Sequence, residues 1–122
     1  MALTRRDAAL ALVPLGLAQR ARATTLPEAM TRARALRDQA QRSGDQPYGA
    51  VVWHGDAIVG EAPSRVVIHG DPTAHAEIEA IRDAARRLGQ RDLSGCVLVS
   101  TSRPCRMCEA AAGWARIERM VH

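Results

Sequence analysis

Four side chains in two short stretches have the types and spacing for chemistry. His75 and Glu77 stand two apart in "DPTAHAEIEAIRDA" (71–84), and Cys105 and Cys108 stand three apart in "RPCRMCEAAAGWAR" (103–116). Side chains three apart share a helix face, so the two sulfurs can grip one ion; side chains two apart do not. His75 and Glu77 therefore act together only if both aim at something beyond a helix end. One imidazole and two thiolates suit tetrahedral zinc at ~2.0–2.3 Å, and three protein ligands leave a fourth position to water, as catalytic zinc sites do. Glu77, two residues past a ligand, would stand beside that water and carry its proton. Both stretches read as helix starts, whose dipoles favour the deprotonated sulfurs.

Each piece alone has a plainer explanation. His-x-Glu occurs often by chance, and C-x-x-C alone fits a redox pair, a disulfide or a structural zinc site. A structural zinc would want a fourth Cys or His. The one remaining cysteine, Cys96, opens the apolar run "CVLVS" and reads as a small core filler. His54 and His69 fall at turns and His122 is terminal, so all three read as solvated; Arg106 reads as a solvated cation and Trp114 as core. The joint pattern is far more specific than its parts.

The elements that must position these groups follow from periodicity. Leu26, Met30, Ala33, Leu36 and Ala40 recur at helical spacing, with Pro27 suited to a first turn and Ser43-Gly44-Asp45 a stop. "YGAVVWHGDAIVGEA" predicts a hairpin: Ala50 to Trp53, a turn at His54-Gly55-Asp56, then Ile58 to Glu61. "SRVVIHG" is an irregular link. Asp71-Pro72 predicts the opening of a second helix, ending at Gly89, with Ile78, Ile81, Ala85 and Leu88 as its buried stripe. "CVLVS" predicts a buried strand, Pro104 opens a third helix, and "IERMVH" begins another strand. The order is helix, strand, strand, helix, strand, helix, strand: one domain, a mixed sheet covered by helices.

The N-terminus stands apart. Residues 1–23 combine "MALTRRD", the apolar run "AALALVPLGLA" and the small-x-small "ARA", the pattern of a cleaved targeting segment, with Arg5-Arg6 in the manner of a twin-arginine signal. The expectation is export to the periplasm, with a cytoplasmic chain as the alternative and no membrane span in the mature form. The formal charge of +4 is concentrated there: residues 1–23 hold four Arg against Asp7, a net of +3, leaving +1 for residues 24–122. A nearly neutral body lacks the basic footprint of a nucleic-acid binder. The absence of Lys, Phe and Asn beside abundant Arg and Ala looks like codon bias rather than a phosphate-binding design.

With these motifs in place, the chain resembles the zinc-dependent cytidine deaminase-like superfamily, whose signature is H-x-E followed by P-C-x-x-C. The likeness rests on "PYGAVV" (47–52), "DPTAHAEIEAIR" (71–82) and "RPCRMCEAAAGWAR" (103–116), and covers Leu26 to His122. "DPTAHAE" is similar to the branch of guanine deaminases and bacterial tRNA adenosine deaminases, and "GWAR" to the guanine side. The resemblance implies a three-layer α/β/α fold with a mixed central sheet, zinc on His75, Cys105 and Cys108, and Glu77 as proton shuttle. It implies hydrolytic loss of ammonia from a nucleobase or nucleoside, guanine-like purines first, in a homodimer. The alternatives are a tRNA adenosine deaminase or an inactive zinc-binding relative. Three departures stand out. Ser64 and Arg103 occupy places where relatives commonly carry Asn and Glu, and relatives continue past His122 through further sheet and a helix.

Overall fold

The computed structural model describes residues 22–122. The leader expected over residues 1–23 lies outside the described residues apart from Arg22 and Ala23. Helix α1 spans Leu26–Arg42, capped by the Thr25 hydroxyl, which accepts from the Glu28 N–H, with Pro27 in its first turn. A hairpin follows, β1 (Gly49–His54) and β2 (Ala57–Pro63), and then helix α2 (Ala76–Leu88), strand β3 (Cys96–Ser100), helix α3 (Arg106–Trp114) and strand β4 (Arg119–Val121). Among the described residues no helix is long and apolar enough to cross a membrane.

The sheet order is β2-β1-β3-β4. Strand β1 pairs antiparallel with both β2 and β3, and β3 pairs parallel with β4. Strands β2 and β3 consequently run the same way on either side of β1, and the helices that follow them start at one end of the sheet. Alternation along β1 divides its side chains between two faces. Val51 packs with Val97, Val99 and the inner face of α1, while Ala50 and Val52 pack with Leu98 and residues of α2 and α3. The result is the three-layer arrangement with a mixed sheet implied by the sequence.

Two glycines set the spacing between layers. A Cβ on Gly60 would meet the Ala80 carbonyl oxygen and the Ala84 Cβ at 2.6 Å, and one on Gly49 would strike the Ala33 carbonyl oxygen. Small residues on α2 complete this close fit. Its buried side is Ala76, Ile78, Ala80 and Ala84, together with Glu77 and Glu79. Of the expected stripe Ile78, Ile81, Ala85 and Leu88, Ile78 is buried and the rest is rotated outward. Ile81 is only partly buried and Leu88 is exposed, because the alanine face is the one that can approach Gly60.

Two further expectations are corrected. Helix α2 begins at Ala76, not at Asp71. The Asp71 carboxylate accepts from the Thr73 N–H and hydroxyl and closes a separate turn before the helix. Trp114 is 90% exposed rather than core. Helix α3 turns Cys108 and Ala112 inward, and a residue two positions past Ala112 lies on the opposite side of so short a helix.

Candidate active site

The two chemical stretches sit at corresponding places. His75 is the N-cap of α2 and Cys105 the N-cap of α3, both with extended backbone, and neither side chain caps an N–H of its own helix. N-cap positions usually carry Ser, Thr, Asp or Asn, whose oxygen satisfies a free N–H and contributes about 1 kcal/mol. Here that contribution is forgone, and both side chains turn toward one another. The His75 Nδ1 lies 3.7 Å from each of the Cys105 and Cys108 Sγ atoms, and the sulfurs lie 3.6 Å apart.

These distances test the fit of a metal. Donors at ~2.0–2.3 Å from a tetrahedral centre lie about 3.3–3.8 Å from one another. The three observed separations fall inside that window. Bonded sulfurs would be about 2.05 Å apart, so the pair is not a disulfide. Among the described residues these three form the cluster whose donor atoms could hold a metal ion. Zinc fits it, with the imidazole offering Nδ1. Cys108 is buried, and burial, then the hydrogen bond and negative charge of neighbouring Glu77, then Cys105, push its thiol well above the ordinary range.

Glu77 lies in the first turn of α2, 4% exposed, and its Oε1 accepts from the Ser100 hydroxyl at 2.8 Å. Glu77, His75 and Cys105 line a cleft of about 630 Å³, whose other walls include Gln46, Pro47, Tyr48 and Arg103. A cleft of this size accommodates a bicyclic base. One wall is held by Asp45. Its carboxylate accepts from the N–H groups of Gln46, Val67 and Ile68 and from the Ser64 hydroxyl. Burial alone would raise the Asp45 pKa, but the combined bonds from Ile68, Gln46, Ser64 and Val67 hold it below the ordinary carboxylate value. Ser64 is fully buried with its hydroxyl directed to Asp45, and it does not line the cleft.

A protein-family comparison decides what this arrangement belongs to. Residues 23–122 match the family model described as the cytidine and deoxycytidylate deaminase zinc-binding region. The chain belongs to this zinc-binding deaminase family. Within it, guanine deaminase of Bacillus subtilis is 46% identical over 70 residues, covering 57% of this chain and 45% of that protein. Its crystal structure superposes with a TM-score of 0.76 at 36% identity, over 80% of this chain and 63% of that one. The tRNA-specific adenosine deaminase of Aquifex aeolicus is 42% identical over 89 residues, 71% of this chain and 59% of that protein. A third structure, solved in complex with 8-azaguanine, gives a TM-score of 0.76 at 26% identity over 82% of this chain and 58% of that one. The chain thus spans about half the length of these two curated relatives. Guanine and tRNA-adenosine deaminases are close to equally similar.

The structure brings His75, Cys105 and Cys108 together and places Glu77 in the lining of the same cleft. His54, His69, His122 and Arg106 are exposed as expected, and Cys96 is a buried filler in β3. Sequence reasoning missed Ser100, Asp45 and the cleft-lining Gln46 and Tyr48. The readable signal for Ser100 was a hydroxyl closing a strand of buried apolar residues. Asp45 gave none, because a Ser-Gly-Asp stop reads the same whether the carboxylate is solvated or accepts four bonds.

Proposed function

We propose that this zinc-binding deaminase removes the ring amino group of a purine nucleobase or nucleoside as ammonia, guanine-like bases first. The observation that carries the reading is one cleft lined by the carboxylate of Glu77 and by His75 and Cys105, with buried Cys108 completing the set of three zinc donors. The donor atoms His75 Nδ1, Cys105 Sγ and Cys108 Sγ would hold the ion. When bound, zinc supplies a Lewis acid that brings the pKa of a water to about 7. Glu77 would take a proton from the attacking water and deliver it to a ring nitrogen as the oxygen bonds to the adjacent carbon. The second proton, from the hydroxyl then on that carbon, would pass through the same carboxylate to the amino group, so that the carbon–nitrogen bond breaks and ammonia leaves. Tyr48 on the cleft wall offers an aromatic surface against a base. The guanine preference draws support from "GWAR", from the relatives named guanine deaminase and from the relative that binds 8-azaguanine.

The second reading, adenosine within tRNA, is supported by relatives of nearly equal identity. The net charge of +1 over residues 24–122 weighs against it, because RNA affinity rests on neutralising phosphates. Ammonia release from guanine, adenosine, cytosine, cytidine and an anticodon stem-loop separates the two. Glu77→Ala should lower turnover by about 10²- to 10⁴-fold while zinc per chain stays the same. Silence of the zinc-loaded protein on every substrate would leave a zinc-binding relative without this activity. The proposal extends to twin-arginine export, a route suited to cargo that folds and loads metal first, and to a homodimer. Cell fractionation and sedimentation test those two parts.

A further inference from the structure

We propose that Ser100 is the positioning residue for Glu77, fixing the carboxylate in the orientation from which it serves the cleft. The inference rests on the reading of Glu77 as proton carrier and adds the group that aims it. Ser100 is the last residue of β3 and is fully buried, as is nearly all of Glu77. The two oxygens are 2.8 Å apart. The same hydroxyl accepts from the Ser102 N–H at 3.3 Å. A serine hydroxyl has a single hydrogen, and with Ser102 donating to the oxygen that hydrogen is committed to Glu77.

The hydroxyl stands on backbone held by the sheet. Ser100 pairs with Ala50 on β1, the strand hydrogen-bonded on both sides, and Thr101 next to it donates its N–H to the Gly49 carbonyl. Glu77 is held differently, by a flexible side chain projecting from the first turn of a helix. A glutamate loses considerable rotamer freedom on being fixed, and a proton carrier misplaced by about 1 Å can lose 10²-fold in rate. A donor on a rigid strand supplies the missing constraint. Polar groups are costly to bury unless paired. A buried serine closing a strand of apolar residues is explained once its partner is a carboxylate that must not swing. The Ser100 hydroxyl bonds Glu77 and Ser102 and not a donor of the zinc cluster, so its removal separates aiming from metal binding.

The test compares zinc-loaded wild type with Ser100→Ala, Ser100→Thr and Ser100→Val, reading kcat, KM, zinc per chain and the crystal structure of each. Ser100→Ala should lower kcat by about 10- to 100-fold, the range carried by one hydrogen bond to a charged group, with KM and zinc content unchanged. Ser100→Thr, which keeps the hydroxyl, should restore kcat. In the Ser100→Ala crystal the Glu77 carboxylate should be rotated or divided among rotamers, and in Ser100→Thr it should stay in place. A Ser100→Ala enzyme with wild-type kcat and full zinc overturns the proposal, as does a Glu77 that does not move. Should Ser100→Ala fail to fold, the Thr and Val variants, alike in shape and different in the hydroxyl, decide it: equal kcat overturns it. Should the wild type turn over none of the bases, the proposed function fails, and the Glu77 rotamers in the crystals still decide whether Ser100 aims the carboxylate.

Discussion

Consider Asp45→Asn, which changes one oxygen to an amine and leaves size and shape alone. Oδ1 accepts from the Gln46 N–H at 2.8 Å and the Ser64 hydroxyl at 2.9 Å, and Oδ2 from the Ile68 N–H at 2.9 Å and the Val67 N–H at 3.1 Å. Asparagine keeps one acceptor oxygen, so its NH₂ must face two donors. Two bonds to a charged acceptor disappear, at about 1.5 kcal/mol each, for an expected loss near ~3 kcal/mol. In a chain of this size that lowers the melting temperature by about 10–20 °C. The sign with pH is fixed by the direction of the shift. The folded Asp45 has a lowered pKa, so its contribution is full above the unfolded value of 3.8 and is lost as pH falls through the folded one. Urea unfolding at neutral pH, repeated toward acid, should show a wide gap between wild type and variant that closes on acidification. A neutral-pH difference under about 0.5 kcal/mol, the range of an ordinary surface substitution, would refute the clamp.

Gly60→Val should destabilise the fold by about 1–3 kcal/mol in denaturant unfolding, because α2 leaves no room for a side chain there. Trp114→Ser should change stability by less than about 0.5 kcal/mol, as expected for a side chain exposed to this degree. Zinc uptake should release at least the Cys108 proton, so apparent affinity should fall about tenfold or more for each unit of pH lowered below neutrality. Calorimetry in buffers of different ionisation enthalpy reads that proton directly, and a heat independent of buffer would contradict it.

The parts of this fold that the sequence spelled out are those set by local pattern. "CVLVS" is buried along its whole length and the helix through Leu36 has the expected stripe. The donor set was readable because chemistry restricts which residue types can do the work and at what spacing. What escaped depended on partners far along the chain. The start of α2 was misplaced because Asp71 serves a turn of its own, and Asp-Pro looks the same in either role. Its buried face was misassigned because hydrophobicity favours Ile81 and Leu88, whereas contact with Gly60 favours alanine. Trp114 failed for the opposite reason: apolar character alone says nothing about which side of a short helix meets the sheet. Ser100 and Asp45 depend on contacts with Glu77 and with residues 64–68, and pairing across 19 to 23 positions leaves no periodic trace.

Strand β1 supplies no ligand, yet it sets where the donors meet. His75 and Cys105 are 30 residues apart, and they meet only because the strands preceding them have both zipped onto the same central neighbour. An ion held by the completed donor set would deepen the native basin in proportion to the logarithm of its free concentration, acting as a latch on the closed sheet.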